Sequence, residues 1–195
     1  MKARPRVTVL YEDQRGSRQG FGLHALVKAC VFDIINGDRA WLERDALGDH
    51  RPLKGAGNLL RTCREDIDLI AADGRRVFAV FDDDKIRVLL RLPSRASDAR
   101  VEQEIRKGCR TPDRLVVALL KQNTESVLAA AGECDVSISS ERIERALRNK
   151  DLLERDAIFF DLARERSRPA RDCVLRKVPS LKKLVELLCH DLNPR

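Results

Sequence analysis

The sequence predicts an α/β fold, a mainly parallel sheet flanked by helices with a helical C-terminal extension, and three observations carry that reading. Apolar, β-branched runs at residues 7–11, 77–81 and 115–120 have the pattern of strands covered on both faces. Between them, apolar residues recur at helical spacing. Beyond about residue 136 the strand pattern stops and helical spacing takes over, which predicts an α/β domain over residues 1–135 and an extension over 136–195.

The elements follow in order. Val-Thr-Val-Leu-Tyr at 7–11 is a strand closed by Glu12 and Asp13. Gly16, Gly20 and Gly22 mark a loop, and Leu23, Leu26, Val27, Cys30, Val31 and Ile34 then make one helical face that Asn36 and Gly37 stop. Residues 39–54 read as a short strand near Ala40 to Leu42 followed by loop. Leu59, Leu60, Cys63, Ile67 and Ile70 carry the next helix, up to Asp73 and Gly74. The run Val-Phe-Ala-Val-Phe at 77–81 is apolar at every position and meets three aspartates, Asp82, Asp83 and Asp84, the last of which is expected to cap a helix ending before Pro93. Ser97 is a second cap, for a helix using Val101, Ile105 and Cys109. The strand at 115–120 passes through Lys121 to Glu125 into a helix with Val127 and Leu128. Later helices cover residues 151–164 and the stretch after Pro179, where Leu181, Leu184, Val185 and Leu188 form a stripe; the Arg-rich segment 164–171 reads as an exposed connection.

Composition excludes several classes. Of 195 residues, 38 are Lys or Arg and 31 Asp or Glu, and the longest apolar run has six residues, where a membrane-spanning helix needs about twenty. A non-membrane, cytoplasmic protein is the expectation, since residues 1–6 lead into no secretory core. The ends are basic, with net charges of +3 over residues 1–20 and +5 over 164–195, while the middle is close to neutral; basic termini suit phosphate contact. Eight aromatic residues are too few for a base-stacking platform. The six cysteines contain no C-x-x-C pair, which removes a zinc module and leaves buried thiols in a reducing compartment as the expected role.

In an open parallel sheet the functional crevice lies at the carboxyl ends of the strands. Here three strands end in acids: Glu12 with Asp13, Asp82 to Asp84, and Glu125. Carboxylates brought together repel unless a cation neutralises them, and hard oxygen ligands suit Mg²⁺ or Mn²⁺. Taken one by one, each acidic group is more often an ordinary solvated cap or turn; only their shared position raises a metal site.

A Glu closing the first strand, followed by an apolar strand closing on Asp-x-Asp, resembles the TOPRIM domain of topoisomerases, bacterial primases and overcoming-lysogenization-defect nucleases, over roughly residues 6–131. Residues 123–128, Asn-Thr-Glu-Ser-Val-Leu, are similar to a segment of small stand-alone TOPRIM-like proteins, which are often encoded beside ATPases in systems directed against phage. The resemblance implies that Asp82 and Asp84 hold Mg²⁺ or Mn²⁺, that Glu12 is a general acid or base or a further metal contact, and that Glu125 orients a ligand or water. Lys85, Arg87 and Lys121 are the candidate phosphate contacts. The chain departs from topoisomerases and primases: Lys85 and Ile86 follow the Asp-x-Asp in place of Arg-Glu-Gly, and the one tyrosine, Tyr11, lies inside the first strand. A metal-dependent nuclease acting on nucleic acid, with an ATPase partner or a second copy of itself, is therefore the expected function. The alternative is a non-catalytic scaffold that binds an ATPase or nucleic acid, and a third reading is a phosphotransfer domain with Asp82 as acceptor.

Overall fold

The computed structural model describes residues 6–13, 20–35, 41, 44, 46–121, 123–148 and 151–193. A four-stranded, all-parallel sheet has the order β2-β1-β3-β4, with β1 Val7–Tyr11, β2 Asp49–Pro52, β3 Arg76–Asp82 and β4 Leu115–Leu120. Ten α-helices accompany it among the described residues: α1 Gly22–Ile34, α2 Ala56–Glu65, α3 Ile67–Ile70, α4 Asp83–Leu89, α5 Asp98–Arg106, α6 Thr124–Cys134, α7 Ser140–Arg148, α8 Leu152–Ala163, α9 Arg168–Lys177 and α10 Pro179–Leu192. The α/β class with a helical C-terminal part is thus what the chain adopts. No described helix is long and apolar enough to cross a membrane.

The chain divides into two compact units, each drawn from separated stretches. One comprises residues 1–13, 40–121 and 191–195; the other comprises 14–39 and 122–190. The first holds the sheet. Its central strands β1 and β3 are buried along almost their whole length, and Leu10, Ala79, Phe81, Leu115 and Val117 pack with Leu59, Cys63 and Ile67 of α2 and α3, Ile86 of α4, and Val101 and Ile105 of α5. Ser97 caps α5, accepting from the Arg100 amide, as its position before the apolar spacing predicts.

The edge strand β2 corrects the reading of residues 39–54. Ala40 and Leu42 lie outside the described residues, and the strand is Asp49-His50-Arg51-Pro52, paired in parallel with Thr8 to Tyr11. Nothing in Asp-His-Arg-Pro favours a strand. The ladder offered by β1 imposes it, and Pro52 is tolerated because β2 ends the strand order among the described residues, with no further strand on its other side.

The second unit is helical. Its α1 packs on α8, α6 on α9, and α7 on α8. Cys134 at the end of α6 and Cys173 in α9 form a disulfide with 5.7 Å between the Cα atoms, closing a 39-residue separation. The expectation of free thiols is therefore wrong for this pair; two cysteines 39 apart in sequence give no signal of the helix packing that joins them. Cys30 and Cys63 are buried thiols as expected, and burial pushes the Cys30 thiol up to about 12, out of reach of nucleophilic use near neutrality.

Residues 164–171 also differ from the exposed connection expected of them. Arg164, Arg166 and Arg168 are exposed, but Arg171 is 3% exposed. Its guanidinium forks onto Asp33, Nε to Oδ2 at 2.6 Å and Nη2 to Oδ1 at 3.0 Å, while Nη1 donates to the carbonyls of Leu162 and Arg164. Arg171→Met should cost on the order of 3–5 kcal/mol in urea unfolding, because Asp33 loses its bidentate partner and two carbonyls lose their donor. Arg171→Lys should recover only part of this, since an ammonium cannot serve a fork. A loss below about 1 kcal/mol in the Met variant would mean that Asp33 is solvated after all.

Candidate functional site

The strand order places the topological switch point between β1 and β3: from β1 the chain moves to β2 on one side and then returns to β3 on the other. The crevice of such a sheet lies at the carboxyl ends of those two strands. Glu12 is the first residue after β1, and Asp82 is the last of β3.

Backbone bonds fix Glu12. Its amide donates to the Val80 carbonyl at 3.1 Å, continuing the β1–β3 ladder by one residue. Its carbonyl accepts from the Gly55 amide at 2.6 Å, and Asp13 and Tyr11 accept from Lys54 and Leu53. The segment after β2 therefore folds back over the end of β1. It does so through two left-handed residues, Lys54 at φ 58° and Gly55 at φ 119°; the second conformation strongly favours glycine.

The Glu12 side chain is 5% exposed and reaches across to β3, where Oε2 accepts from the Asp82 amide at 2.9 Å. Its other oxygen, Oε1, is buried with no hydrogen-bond partner. Asp82, 8% exposed, stands at the N-cap position of α4, but its side chain does not cap the helix. Its Oδ2 accepts instead from Lys85 Nζ at 2.6 Å, and the same ammonium lies 3.3 Å from Glu12 Oε1. The site is thus two buried carboxylates from adjacent strands with one lysine between them.

Electrostatics follow from that burial. The Glu12 carboxyl is held above its ordinary value, mainly by desolvation and also by the charge of Asp82, against the Asp82 amide and Lys85. Asp82 is likewise raised by desolvation, with Lys85 opposing and the charges of Asp13 and Asp84 adding to it. For Lys85, burial works to lower the pKa, but the hydrogen bond and charge of Asp82, then those of Glu12, outweigh it and hold the ammonium firmly protonated.

Asp84 is exposed in the first turn of α4 and, with Ala56, Lys85, Val88 and Leu89, lines an open pocket of about 370 Å³. Asp83 pairs with Arg87 at 2.8 Å, away from Asp82. Arg87 is engaged inside the fold: 7% exposed, it holds Asp83, Asp98 and the Ala96 carbonyl, tying α4 to the start of α5. Lys121 is exposed and pairs with Asp98 at 2.9 Å. Glu125 is exposed in the first turn of α6, in the helical unit. The expected cap by Asp84 is replaced: α4 begins two residues earlier, at Asp83, so Asp83 and Asp84 sit in its first turn, where acids complement the helix dipole.

Among the described residues, no group of three or more His, Cys, Asp and Glu side chains is gathered at metal-holding distance. Glu12 and Asp82 are the buried carboxylates that could hold an ion, Mg²⁺ commonly taking one or two from a protein; here the Lys85 ammonium stands against both. What sequence reasoning missed is the position of Lys85, for which i, i+3 spacing from Asp82 was the available signal.

The molecule is therefore an open parallel α/β protein with an acidic pair at its switch point. Comparison with protein-family models, with curated proteins and with solved structures found no match.

Proposed function

We propose that this protein is a Mg²⁺- or Mn²⁺-dependent nuclease of TOPRIM-like design, cleaving phosphodiester bonds in nucleic acid. The observation that carries this is the buried Glu12–Asp82 pair at the switch point, with one Glu12 oxygen left without a hydrogen bond. Asp82, with Asp84 in the first turn of α4, would hold the ion, which when bound supplies charge to a phosphate oxygen and acidifies a water. Glu12 takes the proton from the attacking water. Its raised carboxyl suits that role, because a base whose pKa lies nearer neutrality releases and accepts protons with less penalty. Water attacks phosphorus, the bond to the leaving oxygen breaks, and that oxygen leaves with a proton from solvent. Lys85 and Lys121 are exposed cations that could turn to phosphate from their pairs with Asp82 and Asp98, and Arg87 is spent within the fold.

A cytoplasmic effector of a phage-defence system, acting with an ATPase partner or as a homo-oligomer, belongs to the same reading. The test is cleavage of single- and double-stranded DNA and RNA by the purified protein, alone and with an ATPase encoded beside it. Products should appear in Mn²⁺ or Mg²⁺ and disappear in chelator. Cleavage that persists in chelator would exclude the metal.

One observation favours the scaffold reading instead: Lys85 already neutralises the acidic pair without a metal. On that reading Mn²⁺ titration by calorimetry gives no heat that depends on Asp82.

A further inference from the structure

We propose that the Lys85 ammonium occupies the divalent-ion position of this site in the metal-free protein, so that an ion enters by displacing it. Lys85 thereby sets the ion concentration at which the site loads. The inference rests on the metal-dependent reading above and goes beyond it, because it assigns the regulation of that site to a residue which is not itself a ligand.

Three observations carry it. The ammonium contacts one oxygen of each carboxylate, Asp82 Oδ2 at 2.6 Å and Glu12 Oε1 at 3.3 Å. Of these, Glu12 Oε1 is buried and has no hydrogen bond: Nζ gives it charge without donating to it. The ammonium therefore already stands against Asp82, the carboxylate that would hold the ion, and beside the second buried carboxylate, Glu12. A divalent ion held by Asp82 and an ammonium on the same carboxylate repel each other as like charges, which favours one over the other. The third observation is that Lys85 has somewhere to go. Its side chain is 59% exposed and lines the open pocket of about 370 Å³ with Asp84, Val88 and Leu89, so the stem can swing out while α4 stays in place.

The arrangement differs from a cation pair at a protein surface. Glu12 and Asp82 are buried and close, and without a cation their repulsion has nothing to offset it. An internal ammonium keeps the empty site folded, at the cost of competing with every ion that arrives.

The test is Mn²⁺ affinity by calorimetry on the full chain, for wild type, Lys85→Met and Lys85→Gln. Displacement predicts that both variants bind Mn²⁺ about tenfold more tightly or better, because the neutral side chain no longer competes. It also predicts a larger gain in melting temperature on adding Mn²⁺ than in wild type. Equal or weaker binding in the variants overturns the proposal and leaves the metal site standing. Binding in none of the three proteins overturns the metal-dependent reading itself, and the proposal with it. Should both variants fail to fold, Mg²⁺ titration of the wild type decides: the Lys85 side-chain ammonium signal should shift as the ion pair opens, and an unmoved signal with Mg²⁺ bound overturns displacement.

Discussion

Asp82→Asn should abolish metal-dependent cleavage and, in the same protein, raise the melting temperature at neutral pH. The two effects have one cause. Asp82 is buried, and desolvation holds its carboxyl above the ordinary value despite Lys85, so its ionised form is less favourable in the fold than in the unfolded chain. A carboxyl raised by folding binds its proton more tightly in the native state. Its contribution therefore favours the fold at low pH and is lost as pH rises from the unfolded value of about 4 through the higher folded value. Asparagine keeps the shape and carries no charge to desolvate. The difference in melting temperature between variant and wild type should then be small near pH 3.5 and open as the pH is raised to 7, followed by calorimetry in the presence of chelator. Lys85 loses a partner in the variant, but at 59% exposure it can turn to water. A lower melting temperature at pH 7 would show that the Asp82–Lys85 pair is net stabilising and that burial is the smaller effect. Asp83→Ala is the control for activity: that carboxylate is occupied with Arg87, and its loss should leave cleavage close to wild type.

Gly22→Ala should destabilise the helical unit by about 3 kcal/mol or more, measured by urea unfolding. Gly22 opens α1, and the place a Cβ would take is 2.6 Å from the Asp156 carbonyl oxygen and 2.8 Å from its Cα. Both are backbone atoms of α8 and cannot rotate away. The same approach lets the Gly22 amide donate to Asp156 Oδ1 at 2.9 Å, in a fully buried position, and any shift that relieves the clash also lengthens that bond. Alanine's advantage over glycine within a helix, about 1 kcal/mol at most, is too small to reverse the sign. Gly57→Ala makes the contrast. Nothing lies within 4 Å of a Cβ there, and it sits inside α2, so the substitution should stabilise the protein by a few tenths to about 1 kcal/mol. Equal effects at the two positions would mean that α1 and α8 are free to move apart.

The parts of the fold legible in the sequence are those where burial on both faces leaves a continuous apolar run. The strands at 7–11, 77–81 and 115–120 are of that kind, and they coincide with β1, the body of β3, and β4. Helix α1 was equally readable, from Leu23 to Ile34. What stayed hidden was set by neighbours distant in the chain. Asp49-His50-Arg51-Pro52 becomes a strand because β1 offers it a ladder, and Cys134 finds Cys173 because α6 packs on α9. The site divides in the same way. That Glu12 and Asp82 end adjacent parallel strands follows from the strand pattern and the crevice rule together. The inward turn of Lys85, and the capture of Arg87 by Asp83 and Asp98, depend on which oxygens burial leaves unserved, and no one-dimensional pattern records that.

Since α1 lies between β1 and β2 in the chain while its partner α8 comes from far beyond β4, the order of synthesis matters. Gly22 and Asp156 are 134 residues apart. At roughly 5–20 residues per second on the ribosome, Leu23, Leu26, Val27 and Val31 must wait on the order of ten seconds before the helix that covers them has been made. During that interval the nascent chain carries an apolar helix in search of a surface, a natural target for a chaperone. A fragment ending near residue 135 would leave it in that state permanently, so the sheet is best studied within the intact chain.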